Sequence, residues 1–376
     1  MYILEITNHY PNKKYPLNGI FARDQAIALA NEGCEIIVAA LDLRSIRRPR
    51  PFGFSKKKVD GVTVYTLSLY MGNVPSFIFN SFSRFAFKLL YNKIVEENGK
   101  PKLIHAHFLE MAQACIDVIK KENIPFFITE HTSTLNNEEI SKNHFNLMNE
   151  TYPLAKQIIA VSESLQKSIK KHTGIDSSVV YNIVDISTFK YQEHKIKDDS
   201  FHFVSCGALD KRKDFETLLK AFAQHLKKYP QDKLTIFGDG KEKNNLKRLS
   251  DQLNINDRVT FALRASREEI AKTYKDAQIF ILLSKLETFG VVYIEAMSTG
   301  LPVIATRCGG PENFVTDETG FIIEPENIEQ AISAMEYIRL NYDKYDQKEI
   351  SKYTNNLFSP KTIAQQIIKI FNSNIE

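Results

Sequence analysis

Short, continuously apolar runs alternate with stretches of helical spacing along almost the whole chain, and this alternation restricts the fold more than any other feature. In the first half, residues 3–7 read as a buried strand, 21–31 as a helix, and 35–40 as a strand set off from that helix by Gly33. Strands at 103–106, 126–129 and 157–161 follow, with helices at 110–121 and after Ser162. A polar stretch without periodicity, residues 187–200, breaks the pattern and reads as an interdomain linker. The alternation then restarts with strands at 201–205, 233–237, 259–263, 279–284 and 303–305. Helices at 215–228, 241–253, 267–275 and 291–298 lie between them. Strands separated by helices form parallel sheets covered on both faces, so the expected class is α/β. Two Rossmann-like doubly wound domains, 1–186 and 201–356, would face each other across a cleft. Residues 357–376 read as a C-terminal helix crossing back to the N-terminal domain. The total of 376 residues suits two ordinary domains.

Bulk properties exclude several classes. No apolar run approaches the roughly 18–20 residues that a membrane span needs, and the N-terminal segment, with Glu5 inside a strand, does not read as a signal peptide. Cys34, Cys115, Cys206 and Cys308 are widely separated and form no paired motif, so neither a disulfide framework nor a zinc site is expected. The reading is a reduced, cytoplasmic protein. The net charge of +4 is uneven: the first 186 residues hold 22 Lys and Arg against 18 Asp and Glu, whereas the rest holds 27 of each. Much of the excess lies in RSIRRPRPFGFSKKK, residues 44–58, read either as a solvated loop or as a contact for anionic lipid head groups or a diphosphate. Residues 73–98 are rich in Phe, Ile and Leu, and read as a core helix or one leaning on a membrane surface. Aromatic interleaving is too thin for a nucleic-acid partner.

The chemistry concentrates in SKLETFGVVYIEAMSTGLPVIATRCGGPE, residues 284–312. Glu287 sits on a strand-to-helix loop, and Glu295 about two turns along the helix on nearly the same face. Thr288, Phe289, Gly290 and Val291 lie between them, at a helix N-terminus whose free N–H groups and dipole attract phosphate. Ionised carboxylates offer only acceptors, which suit sugar hydroxyls. Two hydroxylated groups flanking a diphosphate describe a nucleotide sugar.

Other constellations lie at strand ends. After 201–205, Gly207 makes a turn and Lys211, Arg212 and Lys213 precede a helix, where fixed cations would stabilise a diphosphate. FGDGKEKNN around Gly238 and Gly240 fails the dinucleotide fingerprint for lack of a third glycine, and reads as a tight turn near a ligand. Gly19 closes a long loop after the first strand, where backbone can approach a ligand. His131 follows the strand at 126–129 and would project toward a reacting sugar. His105 and His107 carry no third ligand in view, so no metal is expected.

Together these residues resemble a retaining glycosyltransferase of family 4 with the two-domain GT-B fold. The most specific part is Glu287-Thr-Phe-Gly with Glu295, continuing through Gly300, Pro302 and Cys308-Gly-Gly-Pro-Glu312. Gly19, HAHF at 105–108, Glu130-His131, Asn182 to Asp185 and Lys213 support it. The resemblance implies that Glu295 holds the ribose hydroxyls, Glu287 a donor-sugar hydroxyl, and Lys213 with Arg212 the diphosphate. Gly207, Arg264, Thr288, Phe289, Gly290 and Val291 would complete the donor site, with His131, Glu287 and Lys213 closest to the chemistry. Gly19 and His131 would approach from the acceptor side. It also implies no metal and no cofactor, the nucleotide sugar being a substrate. The acceptor would be a glycan or lipid-linked intermediate of envelope or capsular polysaccharide, met in the cytoplasm at the inner membrane face. Alternatives are a nucleotide-sugar epimerase or hydrolase on the same fold, and a non-catalytic nucleotide-sugar-binding protein. The chain departs from the family pattern at Ala208, where an Arg is common, at Leu263 before Arg264, and at Tyr181.

Overall fold

The structure is a computed structural model describing residues 2–375, except 13, 16, 17, 46, 48, 49, 73, 137–139, 197, 198, 263 and 264. The chain divides into two compact units, Met1–Ile183 with Pro360–Glu376, and Val184–Ser359.

The first unit is built on eight strands: β1 Ile3–Thr7, β2 Ile36–Asp42, β3 Gly53–Val59, β4 Val62–Ser68, β5 Leu103–His107, β6 Phe126–Glu130, β7 Gln157–Ala160 and β8 Ser177–Val179. Their order in the sheet is β3-β4-β2-β1-β5-β6-β7-β8, and every pairing is parallel except β3 with β4. β1, β2, β5 and β6 are buried along their whole length, which explains their largely apolar character, and Glu5, His105, His107 and Glu130 are buried with them. Between β1 and β5 the chain changes direction of travel across the sheet, so the carboxyl ends of these two strands frame a crevice. The C-terminal helix Pro360–Ile375 closes this unit, laying Ile363, Ile367 and Phe371 into a core with Ala26, Leu29, Val38, Phe127 and Ile159.

Two expectations in this unit change, and a third becomes more specific. Residues 44–58 are not one solvated loop: from Gly53 onward they form β3, paired to β4 through a two-residue Asp60-Gly61 turn whose φ angles, 49° and 83°, are both positive. The helix expected at 110–121 is two, Leu109–Ala114 and Ile116–Glu122, interrupted at Cys115. The Phe-rich stretch is a 23-residue helix, Ser76–Asn98, with Ala86, Phe87, Leu90 and Ile94 buried while Phe77 and Phe85 remain exposed. Among the described residues no helix is long and apolar enough to cross a membrane.

The second unit has six parallel strands: β9 His202–Cys206, β10 Lys233–Phe237, β11 Val259–Ala262, β12 Ile279–Ile281, β13 Val303–Thr306 and β14 Gly320–Ile323. Their order is β11-β10-β9-β12-β13-β14, which sets the switch point between β9 and β12. The segment 187–200, expected as a linker, packs on this unit over its described residues. Phe189 is fully buried, Gln192 N donates to Thr299 O at 3.1 Å, and His194 N donates to Gln347 Oε1 at 2.7 Å. Only Phe189 and His194 of its described residues are buried, too few and too irregularly spaced to make a periodic pattern.

Candidate functional site

At the switch point of the second unit, the loop after β9 meets the loop after β12. Gly238, at φ 153°, and Gly240 seat the first of these loops. A Cβ at either would meet Gly207 O at 1.9 Å or Leu209 O at 2.3 Å. The GDG sequence is thus required by the chain's own packing. Gly207 itself is under no such pressure, since a Cβ there would only touch Lys213 Cγ at 3.5 Å. Ala208 is exposed on this loop. Asp210 then caps a short 3-10 turn, Lys211–Lys213, accepting from Arg212 N at 3.0 Å and from Arg212 Nη2 at 2.7 Å. The Arg212 guanidinium is exposed and tied to Asp210, whereas Lys213 lies along Gly207 and donates to Glu287 Oε1.

Glu287 is fixed from several directions. Ser284 Oγ donates to the same carboxylate oxygen at 2.8 Å, and Glu287 N donates to Cys308 O at 3.0 Å. The 308–312 loop is itself held by Glu312, which accepts from Gly309 N at 2.8 Å and Cys308 N at 3.3 Å. Phe289 turns away from the site into the core, against Phe314 and Phe358 at centroid distances of 5.1 and 5.7 Å. Its role is to pin the loop, while Thr288 stays half-buried. Gly290, at φ 91°, starts the helix Val291–Thr299, whose N-terminus has no side-chain cap. Glu295, little more than one turn further on the buried side, is 3.2 Å from Arg267 Nε. Ser284 and Arg267 escaped the sequence reading. Arg264 and Leu263 lie outside the described residues.

The nearby thiols are poor nucleophiles. Cys206 is pushed up to about 12 by burial and then by Glu295, and Cys308 to about 12 by burial with Glu287 contributing. The site therefore offers a cation, two buried carboxylates and a helix N-terminus, arranged to bind and to stabilise developing anionic charge.

In the first unit, Gly19 has φ 72° and begins the helix Ile20–Asn31. A Cβ there would meet His9 O at 2.2 Å, so this glycine answers first to the chain's own loop. His131 follows β6 and is half-buried among Phe21, Phe108 and His107, with ring centroids 4.6, 5.0 and 5.4 Å away. The expectation that His105 and His107 have no third partner is overturned. Glu5 of β1 stands opposite His105 in the parallel register, and the ligand-type atoms of all three lie within 4.8 Å. Glu5 Oε1 is 2.9 Å from His105 Nδ1, Glu5 Oε2 is 2.8 Å from His107 Nε2, and all three side chains are buried. His105 Nε2 meets Thr129 Oγ1 at 2.7 Å, and His107 Nδ1 meets His131 Nε2 at 3.1 Å. Burial alone raises the Glu5 carboxyl, but the charge and hydrogen bonds of His105 and His107 overturn this and hold it at about 2. Burial lowers His107 and lowers His131 further.

Residues 19–188 match the family described as Glycosyltransferase Family 4, and residues 187–356 the one described as Glycosyl transferases group 1. The chain aligns with about half the length of some curated relatives, 47% of an uncharacterized glycosyltransferase of Haemophilus influenzae at 34% identity. It is 26% identical to the putative teichuronic acid biosynthesis glycosyltransferase TuaC of Bacillus subtilis, over 89% of this chain and 88% of that protein. Sucrose-phosphate synthase from Thermosynechococcus elongatus superposes with a TM-score of 0.82 at 21% identity, covering 99% of this chain and 98% of its own. HepE of Anabaena, solved with UDP and glucose, superposes with a TM-score of 0.73 at 22% identity, covering 99% and 100%. These neighbours share the two-domain GT-B fold. The chain thus belongs to the glycosyltransferases, through Glycosyltransferase Family 4 over residues 19–188 and Glycosyl transferases group 1 over residues 187–356.

Proposed function

We propose that the protein is a retaining glycosyltransferase that moves a sugar from a nucleotide-sugar donor to a hydroxyl of a glycan or lipid-linked acceptor. The observation that carries this reading is the Lys213–Glu287 pair at the second switch point, beside the uncapped N-terminus of Val291–Thr299. Lys213, with Arg212 and the N–H groups at Gly290 and Val291, receives the donor diphosphate and offsets its charge as it leaves, without calling on a divalent ion. Glu287 accepts from a hydroxyl of the donor sugar, and Glu295, oriented by Arg267, from the ribose. The bond from the anomeric carbon to the phosphate oxygen breaks as the acceptor oxygen attacks from the same face. The acceptor proton passes to the departing phosphate, and configuration is kept. No enzyme nucleophile takes part, in keeping with the raised thiols of Cys206 and Cys308.

The acceptor belongs to the first unit in this reading, near Gly19 and His131. An envelope polymer is favoured by likeness to TuaC, named for teichuronic acid biosynthesis, and a UDP sugar by the fold shared with UDP-bound HepE. An anionic membrane face suits β3, where Lys56, Lys57 and Lys58 are exposed beside Phe52 and Phe54.

Thermal melts with UDP, GDP, ADP and their sugars test the donor site, because a ligand bound only by the folded state raises the melting temperature. One nucleotide series should stabilise the chain, and the matching sugar should be consumed only with acceptor present. Rapid conversion of the donor without acceptor would instead identify an epimerase or hydrolase. Stabilisation without any turnover would identify a binding protein.

A further inference from the structure

We propose that Glu5 is a positioning residue: through His107 it fixes His131 as the neutral tautomer protonated on Nε2, leaving bare Nδ1 to accept from a substrate hydroxyl.

Hydrogen bonds run unbroken from Thr129 through His105, Glu5 and His107 to His131. An ionised carboxylate can only accept, so both imidazole nitrogens facing Glu5 must carry a proton: Nδ1 of His105 and Nε2 of His107. One imidazolium at most can balance the single charge of Glu5, and burial together with the neighbouring His105 keeps that second proton off His107. Nδ1 of His107 is therefore bare. It lies 3.1 Å from Nε2 of His131, and two bare nitrogens at that distance would repel, so His131 supplies the proton. On the other arm Thr129 Oγ1 lies 2.7 Å from Nε2 of His105 and can donate to it or accept from it, so His105 is satisfied in either protonation state. His131 makes no other hydrogen bond within the chain among the described residues, and its ring is half-buried with Phe21 and Phe108 against it. Rotation and tautomer are thus set together. Each link also polarises the next, so the charge on Glu5 strengthens the lone pair that His131 presents.

A resident metal fits less well. Bonds of about 2.0–2.2 Å to a tetrahedral ion would bring the ligand atoms within roughly 3.5 Å of one another, whereas here they spread to as much as 4.8 Å. Each carboxylate oxygen already holds its own imidazole.

The substrate hydroxyl rests on the glycosyl-transfer reading above; the tautomer does not. The test is long-range proton–nitrogen NMR on the full chain labelled at histidine nitrogens, with His131 identified by its loss in His131→Asn. The wild type should show a pyrrole-type Nε2 and a pyridine-type Nδ1 for His131 at neutral pH, which needs no variant to fold. Glu5→Gln presents an amide that both donates and accepts, and should replace this single pattern by the opposite tautomer or an average of the two. A wild-type His131 protonated on Nδ1, or on both nitrogens, overturns the inference. So does stoichiometric zinc in the purified protein whose removal by chelator changes the pattern. If no donor is ever turned over while the tautomer is as described, the glycosyl-transfer reading fails and the role of Glu5 stands.

Discussion

Lys213 and Glu287 come from opposite sides of the switch point and are each other's nearest charge, with side chains 18% and 9% exposed. Removing one partner of such a pair takes the nearest counter-charge from the other. Lys213→Ala should lower stability by about 3 kcal/mol in urea melts and turnover by roughly 100-fold or more. Glu287→Ala should abolish most turnover while the protein stays folded by circular dichroism, and near-normal turnover would end its assigned role. Glu295→Ala should weaken nucleotide binding about tenfold by calorimetry, equivalent to about 1.4 kcal/mol. A different carboxyl governs pH dependence. Glu130 is fully buried and is pushed from 4.5 up to about 8, by burial first and Glu110 second. The folded state therefore keeps a proton that the unfolded chain has lost, and stability falls as pH rises from about 4.5 to about 8. Glu130→Gln should melt several degrees above wild type at alkaline pH, with the gap closing toward mildly acidic pH. The sequence displayed Glu287, Glu295 and Lys213 because loop motifs carry their own spacing. Ser284, Arg267 and Glu5 stayed hidden because their roles depend on strand register and side-chain direction, which no local pattern encodes.

At the scale of elements, the β3–β4 hairpin is legible in the sequence. Asp60-Gly61 at the end of the basic stretch is a strong hairpin signal, independent of the density of Lys and Arg before it. Gly61→Val should cost more than 1 kcal/mol, since a β-branched residue at φ 83° is strained. The basic stretch also divides by function. Arg44 and Arg50 have side chains only 9% and 4% exposed and pair with Asp42 at 2.5 and 2.9 Å, so they hold the sheet edge together. Lys56, Lys57 and Lys58 face outward on β3, an edge strand for which lysine also discourages unwanted pairing. Replacing these three lysines should weaken binding to anionic vesicles at least tenfold with little change in melting temperature, if the membrane reading holds. Vesicle binding unchanged by that replacement would remove it. Gly290 belongs to this scale too. A Cβ there would meet the Tyr293 ring at 2.6 Å, so Gly290→Ala should displace the helix N-terminus and raise the nucleotide dissociation constant.

For the whole molecule, the repeated alternation of strand and helix was enough to read two doubly wound sheets. The sequence did not disclose how residues 187–200 are held, because the partners of Phe189 and His194 lie at Ser298, Thr299 and Gln347, more than a hundred positions away. The return of Pro360–Ile375 to the first unit has a consequence for synthesis on the ribosome. Residues 1–183 emerge first, yet the core they form is completed by Ile363, Ile367 and Phe371. At about 5–20 residues per second, the 176 residues from Val184 to Ser359 keep that seat open for roughly 10–35 s. The N-terminal unit is thus the first begun and the last finished, and its apolar seat for the closing helix is the surface a nascent-chain chaperone would find.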